Sequence, residues 1–134
     1  MNLDKRTKRS LLAAAAAILI IAAVWLILLE STSYTRKLCT RINSFGYSIG
    51  PSDLYTKGYG MKTSISAVIE EDLAQVKEQS RACGFSADTE KIGRVELMLW
   101  DMDGENVMII WLVDREPELA FIENRSTGET KPIG

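Results

Sequence analysis

Nineteen consecutive apolar residues at 11–29 (LLAAAAAILIIAAVWLILL) contain neither a charge nor a proline. As a helix rising about 1.5 Å per residue the run is roughly 28 Å long, close to the ~30 Å hydrocarbon thickness of a bilayer. Lipid offers the backbone no hydrogen-bond partner, so a lone apolar run of this length is expected as a helix that satisfies itself. Lys5, Arg6, Lys8 and Arg9 precede the run, whereas the ten residues after it open on Glu30 and hold only Arg36 and Lys37. That bias places the N-terminus in the cytoplasm and the chain beyond residue 30 outside. A cleaved signal peptide is the competing reading. Its apolar core is usually about 7–15 residues and ends on small residues, whereas this run is longer and offers only Ser31-Thr32-Ser33 as an exit. Cys39 follows Arg36-Lys37-Leu38, well past the run, which does not fit a lipoprotein attachment. Membrane lipid is therefore the first expected partner, and the expected location is the cell membrane, crossed once.

The chain divides on this basis into a basic cytoplasmic tail (1–10), a transmembrane helix (11–29), a juxtamembrane helix with a Gly/Tyr-rich loop (31–60) and an outer α+β domain (61–134). Residues 31–134 carry twelve Lys and Arg against sixteen Asp and Glu, a net charge of −4. The whole chain stands at −2, which does not suit a nucleic-acid binder. The absence of histidine excludes Ser-His-Asp and Cys-His nucleophile activation and zinc sites with His ligands.

Beyond the span, Leu38, Ile42 and Phe45 recur at helical spacing and Gly46 follows as a terminator, which predicts a juxtamembrane helix over 35–45. Residues 47–60 (YSIGPSDLYTKGYG) read as a mobile loop with a short strand at its start. Residues 63–68 (TSISAV) alternate polar and apolar, as an edge strand does. Ile69, Leu73, Val76, Ser80 and Cys83 repeat at four, three, four and three, predicting a helix over 70–83 with Glu70-Glu71-Asp72 at its positive end and Gly84 as its stop. Residues 94–101 and 106–114 form a hairpin around Asp103-Gly104, and 118–123 adds a third strand across a short turn. The tail from 124 is expected to fray. The predicted class is α+β: a spanning helix, then two helices and a three- to four-stranded antiparallel sheet.

The candidate chemistry is sparse. Cys39 and Cys83 fall on or beside the apolar faces of their helices, so packing of the two helices would bring the sulfurs together and an oxidising exterior would join them. Closing that loop would contribute roughly 4 kcal/mol on the chain-entropy model. The alternative is two separate, reduced core thiols. Residues 101–106 gather three carboxylates, but the spacing fails for a calcium loop, with Asn106 where glycine belongs and Leu112 where a glutamate belongs. Glu96, Asp101, Asp114, Glu116, Glu118 and Glu123 are carboxylates without a fixed separation, and an acid/base pair needs environments that push two pKa values apart. Asn124-Arg125-Ser126 fits a glycosylation sequon. No metal site and no cofactor are expected.

The sheet carries the most informative pattern. One parity reads Val95, Leu97, Leu99, Val107, Ile109, Trp111, Val113, Leu119 and Phe121, as a core requires. The other reads Met98, Trp100, Met108, Ile110, Leu112, Ala120 and Ile122, which is apolar too, whereas a sheet with one wet face alternates. Either the juxtamembrane helix or the 47–60 loop covers that second face, or it is a surface for an envelope protein or a second copy of the chain. In the latter case Met98, Trp100 and Met108 would be anchors and Ile110, Leu112 and Ile122 would complete the patch. In the span, Ala13 and Ala17, with Ala15, Ala22 and Ala23, offer a low-profile side to a further helix.

The layout of residues 70–134, a glycine-ended helix, an Asp-Gly hairpin and a last strand closing on Glu123-Asn124-Arg125-Ser126-Thr127-Gly128-Glu129, resembles that of small secreted PepSY-type domains. Residues 41–124 are also similar to membrane-anchored bacterial proteins with domains of unknown function. Both resemblances imply an extracytoplasmic binding or regulatory module, with no chemistry that carries over residue by residue. The expected function is a membrane-anchored outer binding domain. The competing classes are an envelope hydrolase working through carboxylates and an accessory subunit recognised through its spanning helix.

Overall fold

The computed structural model describes residues 5–134, with the side chains of 27–32, 60 and 61 outside that description. The first four residues of the basic tail and the last three side chains of the apolar run therefore lie outside the described residues. The chain forms two compact units, Met1–Thr35 and Arg36–Gly134.

Helix α1 runs unbroken over Lys5–Asn43. A separate juxtamembrane helix was the expectation, but no glycine or proline lies anywhere in those residues, and Ser31-Thr32-Ser33 lacks the backbone freedom to end a helix. The helix stops where the first such residue occurs: Gly46 adopts φ +101°, a conformation L side chains rarely take. Asn43 then turns the chain, its side chain accepting from the amide of Ile49 at 2.8 Å and donating to that residue's carbonyl at 2.9 Å. In the first unit, Lys5–Leu26 is long and apolar enough to cross a membrane, and none of it is buried. Leu12, Ile18, Leu19 and Ile21 all stand open.

In the second unit a single 3₁₀ turn, Pro51–Asp53, leads into strand β1, Tyr55–Thr63. Helices α2 (Ile65–Val68) and α3 (Leu73–Ala82) follow, and then strands β2 (Gly93–Asp101), β3 (Asn106–Val113), β4 (Glu116–Asn124) and β5 (Thr130–Lys131). All neighbours are antiparallel in the order β1-β2-β3-β4-β5.

Two expectations are reversed at the start of this unit. Residues 55–63 are a strand rather than a loop: Tyr55, Thr56, Lys57 and Gly58 pair with Leu99, Met98, Leu97 and Glu96, and a bulge sits between Gly58 and Lys62. Cross-strand pairing, available only in the folded chain, overrides the turn-rich composition. Residues 65–68, read as an edge strand, are a helical turn instead. Ile65, Val68 and Ile69 are spaced three and four apart and all meet the core, which a strand's period of two cannot achieve.

Both sheet faces are covered. On one, Val95, Val107, Ile109, Trp111, Val113, Leu119 and Phe121 form a core with Ile65, Val76 and Ala87. On the other, Met98, Met108, Ile110, Leu112, Ala120 and Ile122 are buried and Trp100 half-buried. Leu38 and Ile42 at the end of α1, Ile49 in the following loop, Phe85 and Ile133 are buried as well, outside the first cluster. Tyr47 meets Trp100 edge-on at 5.7 Å and donates to the Ile133 carbonyl at 2.6 Å, so the second layer comes from the chain itself. At the end of this layer Arg41 lies 3.9 Å over the ring of Phe85 and donates to the Gly84 carbonyl at 2.5 Å, tying α1 to the end of α3.

The outer edge of β4 is closed residue by residue. Ala87 donates its amide to the Glu118 carbonyl. The hydroxyl of Ser80, wholly buried on α3, donates to the Ala120 carbonyl at 3.2 Å and accepts from the Ala120 amide at 3.1 Å. β5 then pairs with Ile122 and Glu123. The Glu118 carboxylate, also buried, accepts from Ser86 Oγ and the Asp88 amide, holding the 86–91 loop in place. The serine in an otherwise apolar helix stripe is thus a substitute strand partner. Ser80→Ala is expected to cost about 1–3 kcal/mol, because two buried backbone groups lose their partner, and denaturant unfolding of the purified chain measures it.

Candidate functional site

The two cysteines are free. Cys39 is buried and Cys83 half-buried, and the disulfide expected between them does not form. The reason is helical phase. Arg41 is the α1 residue that reaches the end of α3, and Cys39, two positions earlier, projects about 200° away around the axis. Burial, and then the charge of Asp53, push the Cys39 thiol above its ordinary pKa, which keeps it protonated and inert.

The six residues expected as an interaction surface are likewise accounted for within the chain. Met98, Met108, Ile110, Leu112 and Ile122 are core residues, and Trp100 packs against Tyr47. A sequence cannot tell a doubly covered sheet from a sticky one when the covering residues lie far away along the chain.

The strand carboxylates are dispersed. Asp101 pairs with Arg125 and accepts from the Tyr55 hydroxyl at 3.2 Å. Asp114 accepts from the Arg94 amide at 3.0 Å, and Glu118 is engaged by the 86–91 loop. Asp103 holds the hairpin turn by accepting from the amides of Glu105 and Asn106, and these bonds lower its pKa. The loop at 101–106 is thus closed on itself, and among the described residues no group of three or more acids or thiols could hold a metal ion.

Glu123 joins other acids. The segment before α3 places Glu70, Glu71 and Asp72 across a cleft of about 310 Å³ from Glu123 and Thr130. Asp72 caps α3 by accepting from the Gln75 amide at 3.3 Å, so Glu70 and Glu71 precede the helix. Burial first, and then the charges of Glu71 and Glu70, push the Glu123 carboxyl above the usual glutamate range. The hydroxyl oxygen of Thr130 is buried there without a hydrogen-bond partner. On its other side the same segment lines a recess of about 150 Å³ whose walls include Val68, Leu97, Tyr59 and Trp111. Tyr59 stacks on Trp111 with ring centroids 5.6 Å apart at 22°. Glu70 and Glu71 line both hollows, which makes one acidic strip along the edge of the first core. Sequence reading took Glu70-Glu71-Asp72 as complements to a helix dipole. The signal available was their density, but their meeting with Glu123 required the fold.

Compared with known proteins, the chain matches no family model, no curated protein and no solved structure.

Two outcomes are expected. In denaturant without reductant both thiols titrate with a chromogenic disulfide reagent, and in the native protein Cys83 reacts ahead of Cys39. The second concerns pH. Because the folded chain holds the Glu123 proton more tightly than the unfolded chain, stability falls as pH rises from the ordinary glutamate value of 4.5 through the raised one. Asp103, with its lowered value, acts in the opposite sense and loses its contribution as pH falls. Unfolding of wild type and Glu123→Gln across a pH series isolates the first term as a difference, with the variant more stable at neutral pH.

Proposed function

We propose that the chain is a single-pass membrane protein, N-terminus in the cytoplasm, whose outer α+β unit works by binding an envelope protein or peptide and carries out no catalysis. One observation carries the reading: a helix segment of 22 residues is apolar and long enough to span a bilayer, yet has no buried residue. A core helix of a soluble protein would be mostly covered. The second unit meanwhile completes its own core on both sheet faces and needs nothing from the first for that purpose.

The basic residues Lys5, Arg6, Lys8 and Arg9 on one flank support the orientation. The lack of histidine, the engaged strand carboxylates and the inert Cys39 support a binding role over an enzymatic one, as does the extracytoplasmic module implied by the PepSY-like layout. The acidic strip is the concave surface available to a ligand.

In cells, the full-length chain is expected to sediment with membranes, to resist carbonate extraction and to lose a C-terminal tag when protease is added outside. A chain recovered in the soluble fraction without its first thirty or so residues, or a tag protected in intact cells, overturns the reading.

A further inference from the structure

From the acidic strip we infer that the outer unit binds a lysine- or arginine-bearing peptide segment, its cations seated between Glu70, Glu71 and Glu123 and a backbone carbonyl accepting from Trp111. The inference names the ligand of the binding role proposed above and rests on that reading.

Two independent features converge. The first is charge without compensation. Glu70 and Glu71 stand in both hollows and Glu123 faces them across the larger one, while Lys57 is the one cation lining either hollow among the described residues. The second is an orphan donor. Trp111 is 2% exposed, lines the smaller recess and has an indole N–H with no acceptor. A buried donor without a partner is costly, on the order of 1–3 kcal/mol, so a ligand that supplies an oxygen there recovers that cost.

The chemistry of the walls selects among cations. A metal ion gains little from Leu97, Val68 and the stacked Tyr59–Trp111 pair. An alkyl stem ending in an ammonium or guanidinium gains from both the apolar wall and the aromatic faces. A polyamine would satisfy the carboxylates, but when protonated it has no acceptor for the Trp111 N–H. A peptide has both a cation and a carbonyl. Tyr59, which stacks on the Trp111 ring, is 38% exposed on β1, an edge strand, where rotamer changes are fast. In the larger cleft the unpartnered Thr130 hydroxyl oxygen offers an acceptor to a second ammonium.

The test uses the full chain, ¹⁵N-labelled, in phosphatidylcholine nanodiscs, with acetyl-Lys-Gly-Lys-amide, spermidine and magnesium chloride as probes. Three tryptophans give three indole signals, and Trp25→Phe and Trp100→Phe assign that of Trp111 by elimination. The expected result is a downfield move of the Trp111 indole signal on adding the peptide, with affinity at least about tenfold above that of spermidine and of magnesium. The Glu70→Gln/Glu71→Gln double variant, altered at one exposed and one half-exposed position outside any helix or strand, is expected to lose at least about tenfold in affinity while keeping its other resonances. Equal binding of spermidine or magnesium, peptide binding that leaves the Trp111 signal in place, unchanged affinity in the double variant, or no peptide binding each overturns the proposal. None of these outcomes alters fractionation or protease access in cells, so failure here stays separate from failure of the anchored-module reading.

Discussion

Strand β3 imposes the constraint on which the second unit depends. Seven consecutive residues, Val107–Val113, are buried, so the strand must lie inside the sheet with a layer on each side. The rest of the second unit answers that demand. β2 and β4 pair with its two edges, α2 and α3 supply one layer, and the last turns of α1 with Tyr47, Ile49 and Ile133 supply the other. Segments 86 residues apart are brought together by this one requirement, as the Tyr47 hydroxyl on the Ile133 carbonyl shows.

What could be read from the sequence follows from the range of the interaction concerned. The apolar run, helix α3 and the β2–β3 hairpin declare themselves locally, through composition, a 3.6-residue period and an Asp-Gly turn. Strand β1 does not, because its conformation is set by pairing with β2, some forty residues later. The TSISAV stretch misleads by chance alternation, and only its contacts with the core show the helical period. Likewise the relation between Cys39 and Cys83 depends on which side of α1 turns toward α3. Arg41 decides that through contacts with Gly84 and Phe85, and no periodicity in either helix announces them. The apolar second face is legible as needing a cover, and of the two readings it allows, cover by the chain or a surface for a partner, the structure gives the first, through the last turns of α1 and Tyr47 and Ile49.

The acidic strip shows the same limit at the level of function. Of the strand acids, Asp101, Asp114 and Glu118 are occupied with ion pairs, turns and loop attachment. Glu123 acquires significance from Glu70 and Glu71, which approach it only because α3 packs along β4 and β5.

The division of α1 between two units has one more consequence. Every buried residue described in the chain lies at position 38 or later, and the second unit begins at Arg36. A cut between residues 33 and 35 would therefore leave every buried residue described in the chain on one fragment, together with the acidic strip. The boundary between the apolar unit and the folded one falls within a single uninterrupted helix.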